Sequence, residues 1–377
     1  MNAKKYLSTA WTNPSSVPWK VFNILRRKLP IDFWFLNGWS FPPEMITILV
    51  TKRCNFSCPG CSSGSPEYTK NFKGQELETG ELKKIIDKVA WFKPGIYFCG
   101  GEPTLREDLY ELIKYAKNKG LVTAFTTNGS LLSDENIKKI LSSGVDFISA
   151  SLDGAPKHHN SYRGFNKAYE KLTEGVAELV KQRNSQKLKS PKVRITCIIN
   201  PKDTKDALFV LEKAHEMGVD EVAFGNLMFY PSSYKNKQKQ FIKENKTGGL
   251  SMIGLEVPKN KFPFNLDPNL RCIYAEIKKR AKLPVSFVPK KINLLSFFSF
   301  QDPSPDSRCL TPWFVATILP DGQLTTCQEY SVGELGKTSF MALWNSQKLK
   351  KFRQIKKKKI FPACFRCIEG QELKFTQ

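Results

Sequence analysis

Short apolar runs and amphipathic stretches alternate along the middle of the chain. The runs at 46–50, 96–99, 122–126, 147–151, 193–199 and 221–227 read as strands. Between them, the windows 81–92, 106–119, 133–142, 167–181 and 205–217 repeat their apolar positions at the helical period, and Gly120 stops the second of these helices. A sixth helix is predicted over 268–280, with Asp267 as its N-cap and Pro268 in its first turn. Strand and helix in repetition imply parallel strands joined by right-handed crossovers. Six such units predict an α/β fold built on a partial (β/α)6, TIM-like barrel. In a barrel of this kind the loops that follow the strands build the site.

Two segments fall outside the repeat. Residues 1–43 carry Trp11, Trp19, Phe22, Leu25, Leu29, Phe33, Trp34, Phe35, Trp39 and Phe41 among Lys20, Arg26, Arg27 and Lys28. Trp19, Phe22, Leu25 and Leu29 form a stripe at helical spacing with basic flanks. Such a stripe suits a helix lying on an anionic membrane, and equally a helix packed across the open side of the barrel. Residues 283–300 have a similar flavour and read as a lid, a linker or a second membrane contact. The expected organisation is therefore an N-terminal segment 1–43, a barrel 44–289, a linker 290–308 and a small α+β domain 309–377.

Composition narrows the class. Of 377 residues, 41% are hydrophobic and 25% charged, which excludes collagen-like and wholly disordered chains. The net charge of +24 favours anionic partners. Its lysines are scattered over helix faces, which argues for solvated surface and against a nucleic-acid groove. No apolar run approaches the roughly 18 residues of a membrane span, and the first thirty residues lack the apolar core of a signal peptide. A cytoplasmic protein is expected, with peripheral contact at the inner membrane as the open alternative.

Ten cysteines then change the picture, because seven fall into two spaced groups. The first, Cys54, Cys58 and Cys61, has the spacing C-x3-C-x2-C directly after the first strand. A structural zinc is closed by four ligands. Three thiols on one loop suit an iron-sulfur cube that keeps one iron open, although a zinc site with its fourth ligand elsewhere has the same start. Gly100, Gly101 and Glu102 follow the second strand, where glycines admit a close backbone approach and a carboxylate can pair with an ammonium.

With these residues the chain resembles the radical S-adenosylmethionine (radical SAM) superfamily over roughly 43–288. The resemblance implies that Cys54, Cys58 and Cys61 bind a [4Fe-4S] cluster whose free iron chelates S-adenosylmethionine, and that Gly100, Gly101 and Glu102 hold its methionyl amine. Thr126-Thr127-Asn128-Gly129 resembles the family's TNG turn. Ser149-Ala150-Ser151-Leu152-Asp153-Gly154 resembles its S-x-D-G turn, which adds Asn128, Ser151 and Asp153 as cofactor contacts, the serine at the ribose. The segment 158–164 resembles H-D-x-x-R-G with Asn160 in place of the aspartate, and Arg163 would meet a carboxylate. A reductant such as flavodoxin or ferredoxin is implied as partner.

The second group, Cys309, Cys327, Cys364 and Cys367, resembles the twitch domain, the shortened form of the SPASM extension, and would hold one auxiliary [4Fe-4S] cluster. A hairpin over 314–326 turning at Asp321-Gly322, and a helix from about residue 340, agree with it. No cysteine follows Cys367, which implies one auxiliary cluster and not two. Four cysteines around zinc fit the spacing as well. Cys99 and Cys197 read as small buried hydrophobes, and Cys272 as packed or as a hydrogen donor to a substrate radical. Lys356 to Lys359 would attract a phosphate or form a solvated helix end. His158 and His159 lie near the cofactor motifs without an assigned role, and His215 reads as chemically idle.

The resemblance implies an oxidoreductase or maturase that reductively cleaves S-adenosylmethionine and abstracts hydrogen from an unidentified substrate. The auxiliary cluster suggests net oxidation, as in dehydrogenation or in peptide, small-molecule or lipid modification. The competing reading is a non-catalytic iron-sulfur or zinc-binding protein with a redox or structural role.

Overall fold

The computed structural model describes residues 17–59, 61, 75–247, 255–257, 266–289, 293–298, 309–327, 330–336 and 338–367. The predicted strands appear as β1 (Met45–Thr51), β2 (Gly95–Gly100), β3 (Val122–Thr127), β4 (Phe147–Ser151), β5 (Lys192–Ile199) and β6 (Glu221–Asn226). Two short strands, β7 (Phe229–Pro231) and β8 (Leu255–Val257), pair with each other. Four more, β9 (Val285–Val288), β10 (Val315–Ile318), β11 (Gln323–Thr326) and β12 (Tyr330–Glu334), extend the main sheet. Its order is β12-β11-β10-β1-β2-β3-β4-β5-β6-β9, parallel from β10 to β9, with β11 and β12 antiparallel.

The helices are α1 (Val17–Lys28), α2 (Ile31–Trp34), α3 (Thr79–Ala90), α4 (Leu109–Asn118), α5 (Asp134–Ser143), α6 (Pro156–Arg163) and α7 (Ala168–Ser185). They continue with α8 (Lys205–Glu216), α9 (Tyr234–Asn245), α10 (Ile273–Arg280), α11 (Leu294–Phe297), α12 (Thr311–Phe314), α13 (Phe340–Trp344) and α14 (Gln347–Lys358). Strand alternation explains the layering. Ile46, Ile48, Phe98, Phe125, Ile148 and Ile195 are buried in one core with Leu82, Ile86, Leu112, Ile113, Ile137 and Val176 of the helices. The opposite, inner face carries half-buried Thr47, Tyr97, Cys99, Thr126, Ser149, Ser151, Arg194 and Thr196. That face is polar because it lines the barrel. Cys197 points outward into the core as expected, whereas Cys99 points inward and is half-buried, a correction that follows from its odd position in β2.

Three further expectations are corrected. Residues 285–288 are no lid but a strand, β9, whose four residues are too few to show a period. Beyond it, Phe297 and Phe298 are fully buried against Phe229, so this part of the segment offers no membrane contact; 290–292 and 299–308 lie outside the described residues. The helix predicted over 268–280 is broken at exposed Cys272: a 3-10 turn, Pro268–Arg271, capped by Asp267, precedes α10.

The described part of the N-terminal segment, from residue 17, is fastened where strands begin. Trp19 meets Trp91, just before β2, and Phe22 meets Phe41, just before β1. Arg26, expected at a membrane surface, is 3% exposed and pairs with buried Asp32. It also donates to the carbonyls of Pro42 (2.7 Å) and Trp313 (2.7 Å) and to Ser40 Oγ (2.9 Å). Arg27 pairs with Glu44. Among the described residues no helix is long and apolar enough to cross a membrane.

Removing one partner of a buried ion pair strands the other charge, at about 3–5 kcal/mol. Asp32→Ala is therefore expected to lower stability by that amount in denaturant melts. Lys139→Ala, which breaks the exposed pair with Glu135, should change stability far less. Equal effects would refute the role given to the Arg26 network.

Candidate functional site: the cysteine loop after β1 and the thiols around Lys356

The loop carrying Cys54, Cys58 and Cys61 leaves β1 at Thr51, at the C-terminal end of the parallel strands. Cys54 and Cys61 are exposed and Cys58 is half-buried. The loop is seated by backbone bonds: Gly101 N donates to Thr51 O and Glu102 N to Arg53 O, both at 2.8 Å. The glycines make this approach possible. A Cβ on Gly101 would lie 2.1 Å from Arg53 O, and one on Gly100, whose φ is +135°, 2.2 Å from Thr51 O. The close neighbour of these glycines is thus the cysteine loop itself. Glu76, which no sequence pattern marked, also anchors the loop by accepting from Thr51 Oγ1 and Lys52 N at 2.8 Å each.

Glu102 links two strand ends. Its carboxylate is 1% exposed and accepts from Thr104 N (3.1 Å), Thr104 Oγ1 (2.6 Å), Thr127 Oγ1 (2.9 Å) and Asn128 N (2.6 Å). Three of these donors meet Oε1 and one meets Oε2, so the side chain ties the ends of β2 and β3 together. Burial pushes its pKa up, and these bonds oppose the shift.

Asn128 reaches the same loop from the next strand. Its Nδ2 donates to Asn55 Oδ1 (2.9 Å), Asn55 Nδ2 donates to Ser130 Oγ (2.8 Å), and Ser130 N donates to Asn128 Oδ1 (2.9 Å). Ser151 sits on the inner face at the end of β4, in register with Thr196. Asp153 is buried. Its Oδ1 accepts from Ile198 N (3.0 Å), its Oδ2 pairs with Arg163, and its own N donates to His159 Nδ1 (3.2 Å). That contact gives buried His159 a structural role, and desolvation lowers its pKa to about 4.

Arg163 closes the circle on Cys58. Its guanidinium lies 3.7 Å from Cys58 Sγ, and its carbonyl accepts from Ser57 N (3.4 Å). Its Nε is buried with no hydrogen-bond partner among the described residues. Burial pushes the Cys54 and Cys58 thiols up, with Arg163 opposing at Cys58. A thiol ligates metal as thiolate, so occupation of this loop displaces protons.

The second thiol set lies at the far end of the same sheet. Cys309 precedes α12, Cys327 follows β11 with φ +48°, and Cys364 and Cys367 flank the turn after α14. Cys309, Cys364 and Cys367 are buried, and Cys327 is half-buried. Burial raises the Cys327 pKa first; Lys356 lowers it, and the other three thiols raise it further. Lys356 is no solvated helix end: it is 3% exposed and donates to Cys364 Sγ at 2.5 Å. Among the described residues, no three metal-ligating side chains converge as ligands of one ion.

The radical SAM superfamily profile matches residues 48–189, and the SPASM profile, an iron-sulfur cluster-binding domain, matches 309–368. The chain belongs to the radical SAM superfamily. Fe-coproporphyrin III synthase of Methanosarcina barkeri is 33% identical over 181 residues, 48% of this chain and 43% of that protein. The tungsten-containing aldehyde ferredoxin oxidoreductase cofactor-modifying protein of Pyrococcus furiosus is 23% identical over 84% of this chain and 85% of its own. SuiB of Streptococcus suis, solved with S-adenosylmethionine, shares the fold at a TM-score of 0.58 and 13% identity, over 89% of this chain and 72% of that one. The match covers less than half the length of the first curated relatives.

Membership brings a S-adenosylmethionine-binding [4Fe-4S] cluster, and the SPASM match an auxiliary iron-sulfur cluster. The residues of this radical SAM protein fit both. One loop offers three thiols beside an unpartnered buried donor, Arg163 Nε, and three of the four C-terminal thiols, Cys309, Cys327 and Cys364, act on one buried ammonium.

Gly101→Ala tests the seating of the first loop. The added methyl collides with Arg53 O, so the variant is expected to lose iron from the Cys54 loop on anaerobic reconstitution while its circular dichroism stays native. Retention of all the iron would show that the loop does not need this contact.

Proposed function

We propose that this protein is an enzyme that reductively cleaves S-adenosylmethionine and abstracts hydrogen from a substrate held against the inner face of the barrel, with net oxidation of that substrate. The carrying observation is the three-cysteine loop at the end of β1, gripped from the segments that follow β2, β3 and β4 by Gly101, Asn128 and Arg163. Cys54, Cys58 and Cys61 would hold the first cluster, and Cys309, Cys327, Cys364 and Cys367 the auxiliary one. When bound, the first cluster supplies the electron that splits the sulfonium and the second an electron acceptor.

The chain's own residues do the positioning. The backbone of Gly100, Gly101 and Glu102 borders the loop, while Asn128 and Asp153 lock the turns from which cofactor contacts arise. Ser151 faces the inner surface for the ribose. Arg163 keeps its Nε for a carboxylate while Asp153 fixes its other end. The inner face below is polar: Tyr97 bonds Thr126 and Ser149, and burial pushes its hydroxyl up to about 12, so it stays a neutral donor. Arg194 pairs with Glu221. Such a floor suits a polar substrate. Relatives named for haem synthesis and for PqqA peptide cyclisation support substrate modification as the reaction type. Flavodoxin or ferredoxin would supply the electron.

The ligand roles separate in two variants. Cys58→Ala should abolish formation of 5'-deoxyadenosine from S-adenosylmethionine with dithionite, because the three-thiol set is broken. Cys364→Ala should keep that uncoupled cleavage and lose roughly half of the iron, as expected for two four-iron clusters. Wild-type cleavage by Cys58→Ala, or full iron in Cys364→Ala, would overturn the assignment.

Location is the second part of the proposal. Val21, Leu25, Leu29, Ile31, Trp34 and Phe35 are 43, 56, 67, 50, 42 and 77% exposed, most of the exposed large apolar side chains among the described residues. Exposed Lys28 and Lys357 to Lys359 border them, with Lys357 Nζ 2.7 Å from Trp34 O. Apolar side chains rimmed by lysine match an anionic bilayer surface, each lysine adding about 1 kcal/mol. The protein should co-sediment with anionic but not neutral vesicles, less so in high salt, and Leu25→Glu with Phe35→Glu should release it. No binding to anionic vesicles at low salt would remove the membrane from the proposal.

A further inference from the structure

Helix α14 buries Leu349, Phe352, Arg353 and Lys356, the spacing of one core-facing stripe. A lysine in the last position of such a stripe is an anomaly. Its neighbours Lys357, Lys358 and Lys359 are exposed, so nothing in local composition requires the fourth cation to be inside. Arg353, one turn earlier, is also buried. Its Nε and Nη1 donate to the carbonyls of Pro312 (2.9 Å), Gly38 (3.1 Å) and Trp344 (2.9 Å), which holds the chain in place, while its Nη2 has no hydrogen-bond partner among the described residues.

Lys356 has no such employment. Its Nζ donates to Cys364 Sγ at 2.5 Å and lies 4.9 Å from the centre of the Phe361 ring. Among the described residues no carboxylate lies within ion-pair distance of it, and the groups that favour its charge are the sulfurs of Cys364, Cys327 and Cys309. Burying an ammonium is costly unless an anion accompanies it. Thiolates bound to an iron-sulfur cluster are such anions, and a donor to a cluster sulfur is one of the levers that set the cluster's potential.

We propose that Lys356 is the fixed counter-charge of the auxiliary cluster. Its N–H···S bond to Cys364 and its positive charge stabilise the more negative, one-electron-reduced form, and so raise the reduction potential of that cluster. The inference rests on the reading that Cys309, Cys327, Cys364 and Cys367 hold a cluster. It makes Lys356 a positioning residue that acts through Cys364.

The test uses the full chain with Cys54, Cys58 and Cys61 all changed to alanine, so that iron and electron paramagnetic resonance report the auxiliary cluster alone. In that background Lys356→Met, nearly the same length without charge, is compared with Lys356→Arg in a dithionite titration. At a fixed poise the ratio of reduced to oxidised cluster should fall at least tenfold in the methionine variant, which is 59 mV for one electron. The arginine variant should recover most of it. An unchanged midpoint with full iron overturns the proposal. Should Lys356→Met lose its iron while Lys356→Arg keeps it, the charge is needed to hold the cluster, which supports it. Loss of iron from both variants assigns the side chain to packing and overturns it. A background chain that binds no iron, or binds zinc, refutes the ligand reading itself, an outcome distinct from the others.

Discussion

The parallel pairing of β10 with β1, from Met45 opposite Val315 to Ile48 opposite Ile318, is the contact on which the rest of the molecule depends. It turns the C-terminal hairpin into a continuation of the barrel sheet. The cysteine loop begins where β1 ends, and Cys327 begins where β11 ends, so both thiol sets hang from one hydrogen-bonded frame. The N-terminal segment reinforces the same seam. Arg26 reaches Trp313 O at the entrance to β10 and Pro42 O at the entrance to β1.

Much of this frame was legible in the sequence. The six barrel strands follow from their apolar runs, and the hairpin from Asp321-Gly322, because period and turn chemistry are local signals. What escaped was short or non-local. Strand β9 is four residues long, and the break at Cys272 depends on how Asp267 caps a single 3-10 turn. The surroundings of Arg26 and Lys356 were misread for one shared reason. Composition marks a charged residue as exposed or as ligand-binding, whereas each of these is buried among partners far away in the chain or, for Lys356, among thiols.

The buried polar groups also divide by what they bind. Arg26 and Arg353 donate to backbone carbonyls, Arg26 also to Asp32 and Ser40, and Glu102 accepts from backbone and hydroxyl donors, so each fastens one segment to another. Arg163 and Lys356 differ, because each puts a cation beside a cysteine sulfur, at Cys58 and at Cys364. The two thiol sets thus share one electrostatic arrangement although they arise from unrelated sequence patterns.

The polarity of the strands has a consequence for how substrate arrives. Trp19, Arg26 and Phe22 fasten α1 at the starts of β1, β2 and β10, while the cysteine loop lies at the finish of β1, about 20 Å further along a seven-residue strand. A bilayer resting on Leu25, Leu29 and Phe35 would touch the floor of the barrel and leave its mouth turned toward the aqueous phase. Anchorage of that kind confines the enzyme to two dimensions without feeding it from the membrane, and it favours molecules that diffuse up to the surface over those dissolved in it.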